Sequence, residues 1–335
     1  MPLRVERSQL KLDGLLLRIC FTTISDRWLC YNNGIRKRPL SLVKEHKIMH
    51  VRVGCEFRYE ATWPTPTVMQ VQPYPKGGHR LLQEKWQTNS DLSFHAYHDF
   101  YDNLCQRLIL PPGEQVLRYD ALLEVSGEPD EVAPDAVQLP VEELPDDVLL
   151  YTLPSRFCLS DVLSDVAWQL FGSTKPGWER VQTICDWVYT NIRFQYGTST
   201  PLTTAADVYE QRVGVCRDLT HLAVSFCRAL NIPTRYVFGY LPDIGVPPPD
   251  SPMDFCAWME VYLDGRWWTF DPRNNMPRIG RVLIGRGRDA LDVAMVTTFG
   301  SPRLQSMLVW ADEVPAGQLS APVTTNDLVH REDNP

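Results

Sequence analysis

The sequence predicts an α+β fold, in which a cysteine-bearing helix packs on an antiparallel β-sheet behind a β-rich N-terminal region. Three stretches carry that expectation. The first is Gly214-Val215-Cys216-Arg217-Asp218, followed by apolar residues at Leu219, Leu222, Ala223, Phe226 and Leu230, the one-sided spacing of a buried amphipathic helix. The second runs from Phe255 to Asp271 and alternates on either side of Asp264-Gly265, which is a hairpin signature. The third is the run of alternating segments between residues 49 and 127.

Pro233 closes the helix after Cys216, because proline cannot continue the hydrogen-bond ladder. Cys216 is thereby placed in the first turn, where free backbone N–H groups and the helix dipole favour negative charge. A thiol there ionises more readily, and the thiolate is the nucleophile. A turn at Asp264-Gly265 sets Leu263 opposite Arg266, Trp258 opposite Asp271 and Cys256 opposite Arg273. Phe255, Ala257, Met259, Val261, Leu263, Trp268 and Phe270 then share a core face. Cys256, Trp258, Glu260, Tyr262, Trp267, Thr269, Asp271 and Arg273 share the other, with Cys256 and Asp271 as diagonal neighbours about 7–8 Å apart along the backbone.

The five residues around Cys216, the strand Phe255-Cys256-Ala257-Trp258 and Phe270-Asp271-Pro272 together resemble the bacterial transglutaminase-like proteins of the papain-like thiol-enzyme superfamily. The resemblance spans about Met49 to Val314. It implies a papain-like, transglutaminase-like core preceded by a β-sandwich-like domain. It also implies that Cys216 is the nucleophile, that the residue before Ala257-Trp258 is the base, and that Asp271 orients that base. The family's base is histidine; here the position is Cys256. A thiol cannot both take the nucleophile's proton and donate to a carboxylate, as an imidazole does. Loss of a positioned base typically costs about 10²–10⁴-fold in rate. His221, five residues after Cys216, points off the nucleophile's side of the helix and is expected to be a structural or surface residue.

Two functions follow from these residues. One is a thiol enzyme acting on the amide of a peptide or protein, as a cysteine peptidase, amidase or acyltransferase. Cys216, Cys256 and Asp271 form its catalytic set, and the Cys216 backbone N–H forms part of an oxyanion hole. The other is a scaffold that keeps the fold for binding. In that scaffold Cys216 and Cys256 pair as a disulfide or, with Asp271 and a fourth group, hold a metal. For the enzyme, neither a cofactor nor a metal is expected.

The formal net charge of −8 argues against nucleic acid as a partner. Nine cysteines, without a Cys-x-x-Cys spacing or a secretory segment, suggest reduced thiols in a bacterial cytoplasm. Leu15-Leu16-Leu17 is cut by Asp13 and Arg18, so no membrane span is expected there. His95 and His98 have metal-pair spacing but no further ligand nearby.

The chain divides into an extension over 1–48, a β-rich domain over 49–135, a core over 136–314 and a disordered tail over 315–335. The extension holds ten Lys or Arg against four Asp or Glu. In the β-rich part, strands are expected at 50–61, 67–74, 94–110 and 115–126. Residues 128–147 read as an acidic, proline-bearing connector. A helix capped by Ser160 is expected from Asp161, then helices over 177–192 and 205–211 and a strand over 234–241. The proline-rich loop 242–254 is a substrate rim or a rigid spacer. Gly285-Arg286-Gly287 is expected to be a structural turn, and closing strands are expected at 293–299 and 304–313.

Overall fold

A computed structural model describes residues 47–247, 249, 251–315 and 317. The expectations for the basic extension and for most of the tail lie outside these residues. The described residues belong to one compact unit.

The β-rich region begins with β1 (Ile48–Ala61), β2 (Thr65–Met69), β3 (Arg80–Thr88), β4 (His95–His98), β5 (Leu104–Leu110) and β6 (Gly113–Ser126). The expected strands at 50–61 and 115–126 are present. The one expected over 94–110 is broken at Asp99–Asn103, where the Asp99 carboxylate accepts from the backbone N–H groups of Tyr101 and Asn103 at 2.8 and 2.9 Å. An aspartate that captures nearby backbone N–H groups forms a turn in place of a ladder. β3 was not foreseen. Its exposed residues are mostly polar, as an edge strand requires, so it lacks the apolar alternation that marks a half-buried strand.

The core contributes α1 (Asp146–Leu149), α2 (Ser164–Phe171), α3 (Trp178–Asn191), β7 (Arg193–Phe194), α4 (Ala205–Gln211), β8 (Val213–Gly214) and α5 (Cys216–Ala229). It continues with β9 (Thr234–Tyr240), β10 (Cys256–Leu263), β11 (Arg266–Phe270), β12 (Val282–Gly287), β13 (Val296–Thr298) and β14 (Arg303–Glu313). α2 starts three residues later than expected. Its N-cap is Leu163, and no side chain caps it. Gly285-Arg286-Gly287 belongs to β12, not to a turn; the strand is irregular between Leu283 and Gly285, which is where a glycine is tolerated in a ladder.

Among the described residues, the strands form sheets in the orders β14-β1-β6-β3, β13-β2-β5-β4 and β11-β10-β9-β12, with β7 paired to β8. β14 returns to pair with β1, so the last strand completes the first sheet. One apolar core runs from Val51, Phe57, Leu110 and Tyr119 into Tyr236, Phe238, Tyr240 and Ile284 of the third sheet. A second core joins α2, α3, α4 and α5 to Met259, Val261, Leu263 and Phe270 on one face of the hairpin. The hairpin register is the expected one, with Leu263 opposite Arg266 and Met259 opposite Phe270.

α5 is buried along nearly its whole length, and its two ends are anchored differently. At the C-terminal end, the fully buried Arg228 donates to the carbonyls of Thr234, Leu153 and Arg288 at 2.6–3.1 Å. A cation there also complements the helix dipole. At β9, a Cβ on Gly239 would lie 2.1 Å from the Val282 carbonyl and 2.7 Å from the Trp258 ring. Only glycine leaves room there for both the paired strand and the Trp258 ring. The described residues contain no helix long and apolar enough to cross a membrane.

Candidate active site

The site forms where the start of α5 meets the start of β10. Asp218 fixes the helix end: its buried carboxylate accepts from the Val215 N–H at 3.0 Å and from Arg217 at 2.8 and 3.0 Å. This closes the first turn from within and supplies the anionic group that a helix N-terminus favours. Cys216 is the first helical residue and is partly exposed, and its Sγ lies 3.8 Å from the Phe255 carbonyl.

Cys256, at the head of β10, is 3 % exposed. It packs with Trp258, Val237, Leu241, Leu283 and Tyr74, and Cys216 packs against the same cluster. The Cys256 Sγ lies 3.7 Å from the Ala257 carbonyl, and the two thiols are close enough to shift each other's ionisation. The neighbouring Cys256 thiol is the main reason the Cys216 thiol ionises below its ordinary value of 9.0. Burial opposes the shift, the Arg273 charge and the Ala257 N–H reinforce it, and the Asp254 carboxylate opposes it. The Cys216 sulfur, with burial and the nearby charge of Asp271, drives the Cys256 thiol well above 9.0. One site thus holds a thiolate-prone sulfur beside a protonated one, as expected when two like groups cannot both ionise. Both cysteines are free thiols in this structure.

Arg273 supplies the positive charge. Its Nη1 lies 3.9 Å from the Cys256 Sγ, and its guanidinium stacks over Phe194, 4.1 Å from the ring centroid. Burial would lower its pKa, but the charges of Cys256 and Cys216 raise it. The hairpin register already sets Arg273 opposite Cys256 on the mixed face; its action as a counter-charge depends on the three-dimensional arrangement.

Asp271 follows β11 and is buried. It accepts from the backbone N–H groups of Arg273 and Asn274 at 3.1 and 2.9 Å, from the Asn274 side chain at 2.7 Å and from Arg281 at 2.8 Å. Burial pushes its pKa up, but the Arg281 charge and the Asn274 hydrogen bonds outweigh it and hold the carboxyl below 3.8. Arg281 also donates to Asp130 at 2.8 Å and lies over the Trp258 ring at 5.0 Å. The carboxylate is therefore committed to an arginine. Sequence reading missed Arg281 and Asp130. The available signal was a charged residue in each of two segments, the acidic connector and the basic stretch after residue 278, with nothing to pair them. The connector is tied to the site: Asp130 also accepts from the Arg278 N–H at 2.9 Å.

His221 is fully buried and stands apart from these groups. Its ring stacks on Phe157 and meets Tyr236 at a tilt, and its Nε2 accepts from the Ala290 N–H at 3.1 Å. Burial, then the charges of Arg217 and Arg228, holds its pKa well below 6.5, so it is neutral in the folded protein. The unfolded chain takes up the proton first as pH falls through 6.5, and stability declines by about 1.4 kcal/mol per pH unit from this residue until the folded pKa is reached. His221→Asn, followed by urea unfolding between pH 7 and 5, is expected to flatten that slope by one proton. An unchanged slope would show that His221 does not titrate there. His95 and His98 lie exposed on β4, where His98 faces Asp102. Among the described residues, no three His, Cys, Asp or Glu side chains are grouped to hold a metal ion.

A cleft of about 270 Å³ opens at the site. Its walls include Cys256, Arg273, Asn274, Asp254 and Tyr196, and the loop after β9 contributes Val246, Pro247, Pro249 and Met253. The proline-rich loop thus forms part of the cleft wall.

Residues 165–272 match the model of the transglutaminase-like superfamily. Residues 165–272 thus form a transglutaminase-like core, behind a β-rich N-terminal region. A solved structure of a candidate cysteine protease from Cytophaga hutchinsonii is similar over most of the molecule. It is 28% identical with a TM-score of 0.73, covering 83% of this chain and 93% of that one. An uncharacterized protein of Mycobacterium leprae is 32% identical over 115 residues, covering 32% of this chain and 39% of that protein. Another, from Mycobacterium bovis, is 31% identical over 144 residues, covering 40% and 46%. The chain spans less than half the length of these curated relatives.

Proposed function

We propose that this protein is a thiol enzyme that attacks amide bonds of peptides or proteins through Cys216, forming a thioester that water or an amine resolves. The observation that carries the reading is the Cys216 sulfur itself. It sits at the first turn of α5, and the Cys256 thiol and the Arg273 guanidinium both favour its thiolate. In this reading the carbonyl carbon bonds to the Cys216 Sγ while the carbonyl oxygen gains charge. The unpaired N–H groups at the start of α5 face that charge. The leaving amine needs a proton, and Cys256, held protonated beside Cys216, can supply it. Asp271 acts at one remove: with Arg281, it fixes the turn that presents Arg273.

Cys216→Ser is the direct test, with a pooled set of fluorogenic peptide amides as probes and circular dichroism as the folding control. Amide turnover is expected to fall by at least about 10³-fold, because the weaker hydroxyl nucleophile has no imidazole to activate it. Turnover equal to that of the native protein would refute the proposal. One observation favours a second reading, a binding scaffold: the Asp271 carboxylate is held by Arg281 and Asn274, whereas a catalytic dyad would have it orient a base. Absence of turnover in the native protein, with its fold intact, would select the scaffold.

A further inference from the structure

The second thiol has a chemistry that amide cleavage does not use. Cys256 occupies a base position without the means to act as a base, yet it lies against the nucleophilic sulfur. Cys216 is the partly exposed member of the pair and Cys256 the buried one. The cleft reaches Cys256 and Arg273, and the partial exposure of Cys216 gives a small polar oxidant access to its sulfur. The other described cysteines, Cys55, Cys105, Cys158, Cys185 and Cys227, are buried, and burial raises the pKa of each. None of them shares the exposure of Cys216, and burial outweighs the arginine charges near Cys55, Cys158 and Cys227.

We infer that Cys216 and Cys256 form an oxidisable dithiol, in which a hydroperoxide oxidises Cys216 and Cys256 resolves it to a disulfide. The Cys216 thiolate attacks the peroxide oxygen; an S–O bond forms, the O–O bond breaks, and the leaving alkoxide or hydroxide takes a proton from solvent. Cys216 is then a neutral sulfenic acid. With its negative charge gone, the interaction that held the Cys256 proton is lost, and Arg273, 3.9 Å from the Cys256 Sγ, favours ionisation. The Cys256 sulfur attacks the Cys216 sulfur; an S–S bond forms, the S–O bond breaks, and the hydroxide leaves as water with the proton from Cys256. The two thiols lose two electrons and the peroxide gains them. The disulfide blocks the nucleophile reversibly and spares it the irreversible sulfinic state. The inference concerns the same sulfur as the proposed enzyme but does not depend on amide turnover.

The test treats the native full-length protein with one equivalent of hydrogen peroxide, then alkylates the remaining thiols in denaturant and maps the peptides by mass spectrometry. The expected product is a Cys216–Cys256 linked peptide, lighter by two hydrogens than the reduced pair and released by dithiothreitol. In Cys256→Ala the link is absent, dimedone captures Cys216 as its sulfenic acid, and excess peroxide carries it on to the sulfinic form. A native protein whose Cys216 goes to the sulfinic form with no link to Cys256 would overturn the inference. So would one in which a different cysteine is oxidised first. Both readings come from the native protein, so a misfolded variant leaves the decision intact.

Discussion

Asp271→Ala is expected to destabilise the fold by about 3–5 kcal/mol, the usual cost of removing one partner from a buried ion pair. Asp271 is buried and accepts hydrogen bonds from two backbone N–H groups, the Asn274 side chain and Arg281. Its removal leaves Arg281 buried with Asp130 as its remaining carboxylate. Urea unfolding measures the loss as a lower midpoint at unchanged slope. The folded protein holds this carboxyl below its ordinary 3.8, so the unfolded chain binds the proton first. The stabilisation is complete above that value and is lost as pH falls through the native pKa. The variant is therefore expected to lose part of the acid limb of its stability curve. A cost under about 1 kcal/mol, the range of an exposed ion pair, would contradict the account of the Asp130–Arg281–Asp271 network.

Cys256→His is expected to raise amide turnover by about 10²–10⁴-fold, the usual contribution of a positioned general base. An imidazole here would lie against the Cys216 thiol and beside Arg273 and the cleft. It would take the proton from Cys216 and return it to the leaving amine. A new acid limb is expected in the pH–rate profile, absent from the native protein, as the ring protonates. Unchanged turnover with an intact fold would show that Arg281 holds Asp271 too firmly for it to orient the new base.

The core architecture was legible because its signals are local. The helix from Cys216, the hairpin register and the lead-in helix at 205–211 follow from apolar spacing, a proline stop and one Asp-Gly turn, and the structure reproduces them. Local signals failed where a side chain outbid the pattern, as at Asp99, or where a strand carries no apolar face, as in β3. The candidate site was legible in part. Cys216, Cys256 and Asp271 could be singled out from their motifs, and the structure brings the two thiols together with Asp271 close by. Arg281 and Asp130 could not: they are 151 residues apart, and neither spacing nor composition pairs them. The role of Arg273 likewise needed a view of the cleft, since an arginine after a strand is usually a solvated charge.

The central claim is that Cys216 is a thiolate-prone nucleophile without any histidine beside it. The pH dependence of its alkylation by iodoacetamide, followed at the Cys216 peptide, tests this most directly. The expected midpoint lies below 9.0 in the native protein and moves up in both Cys256→Ala and Arg273→Gln. A midpoint at or above 9.0, unmoved by either substitution, would contradict the claim and leave the fold as a scaffold.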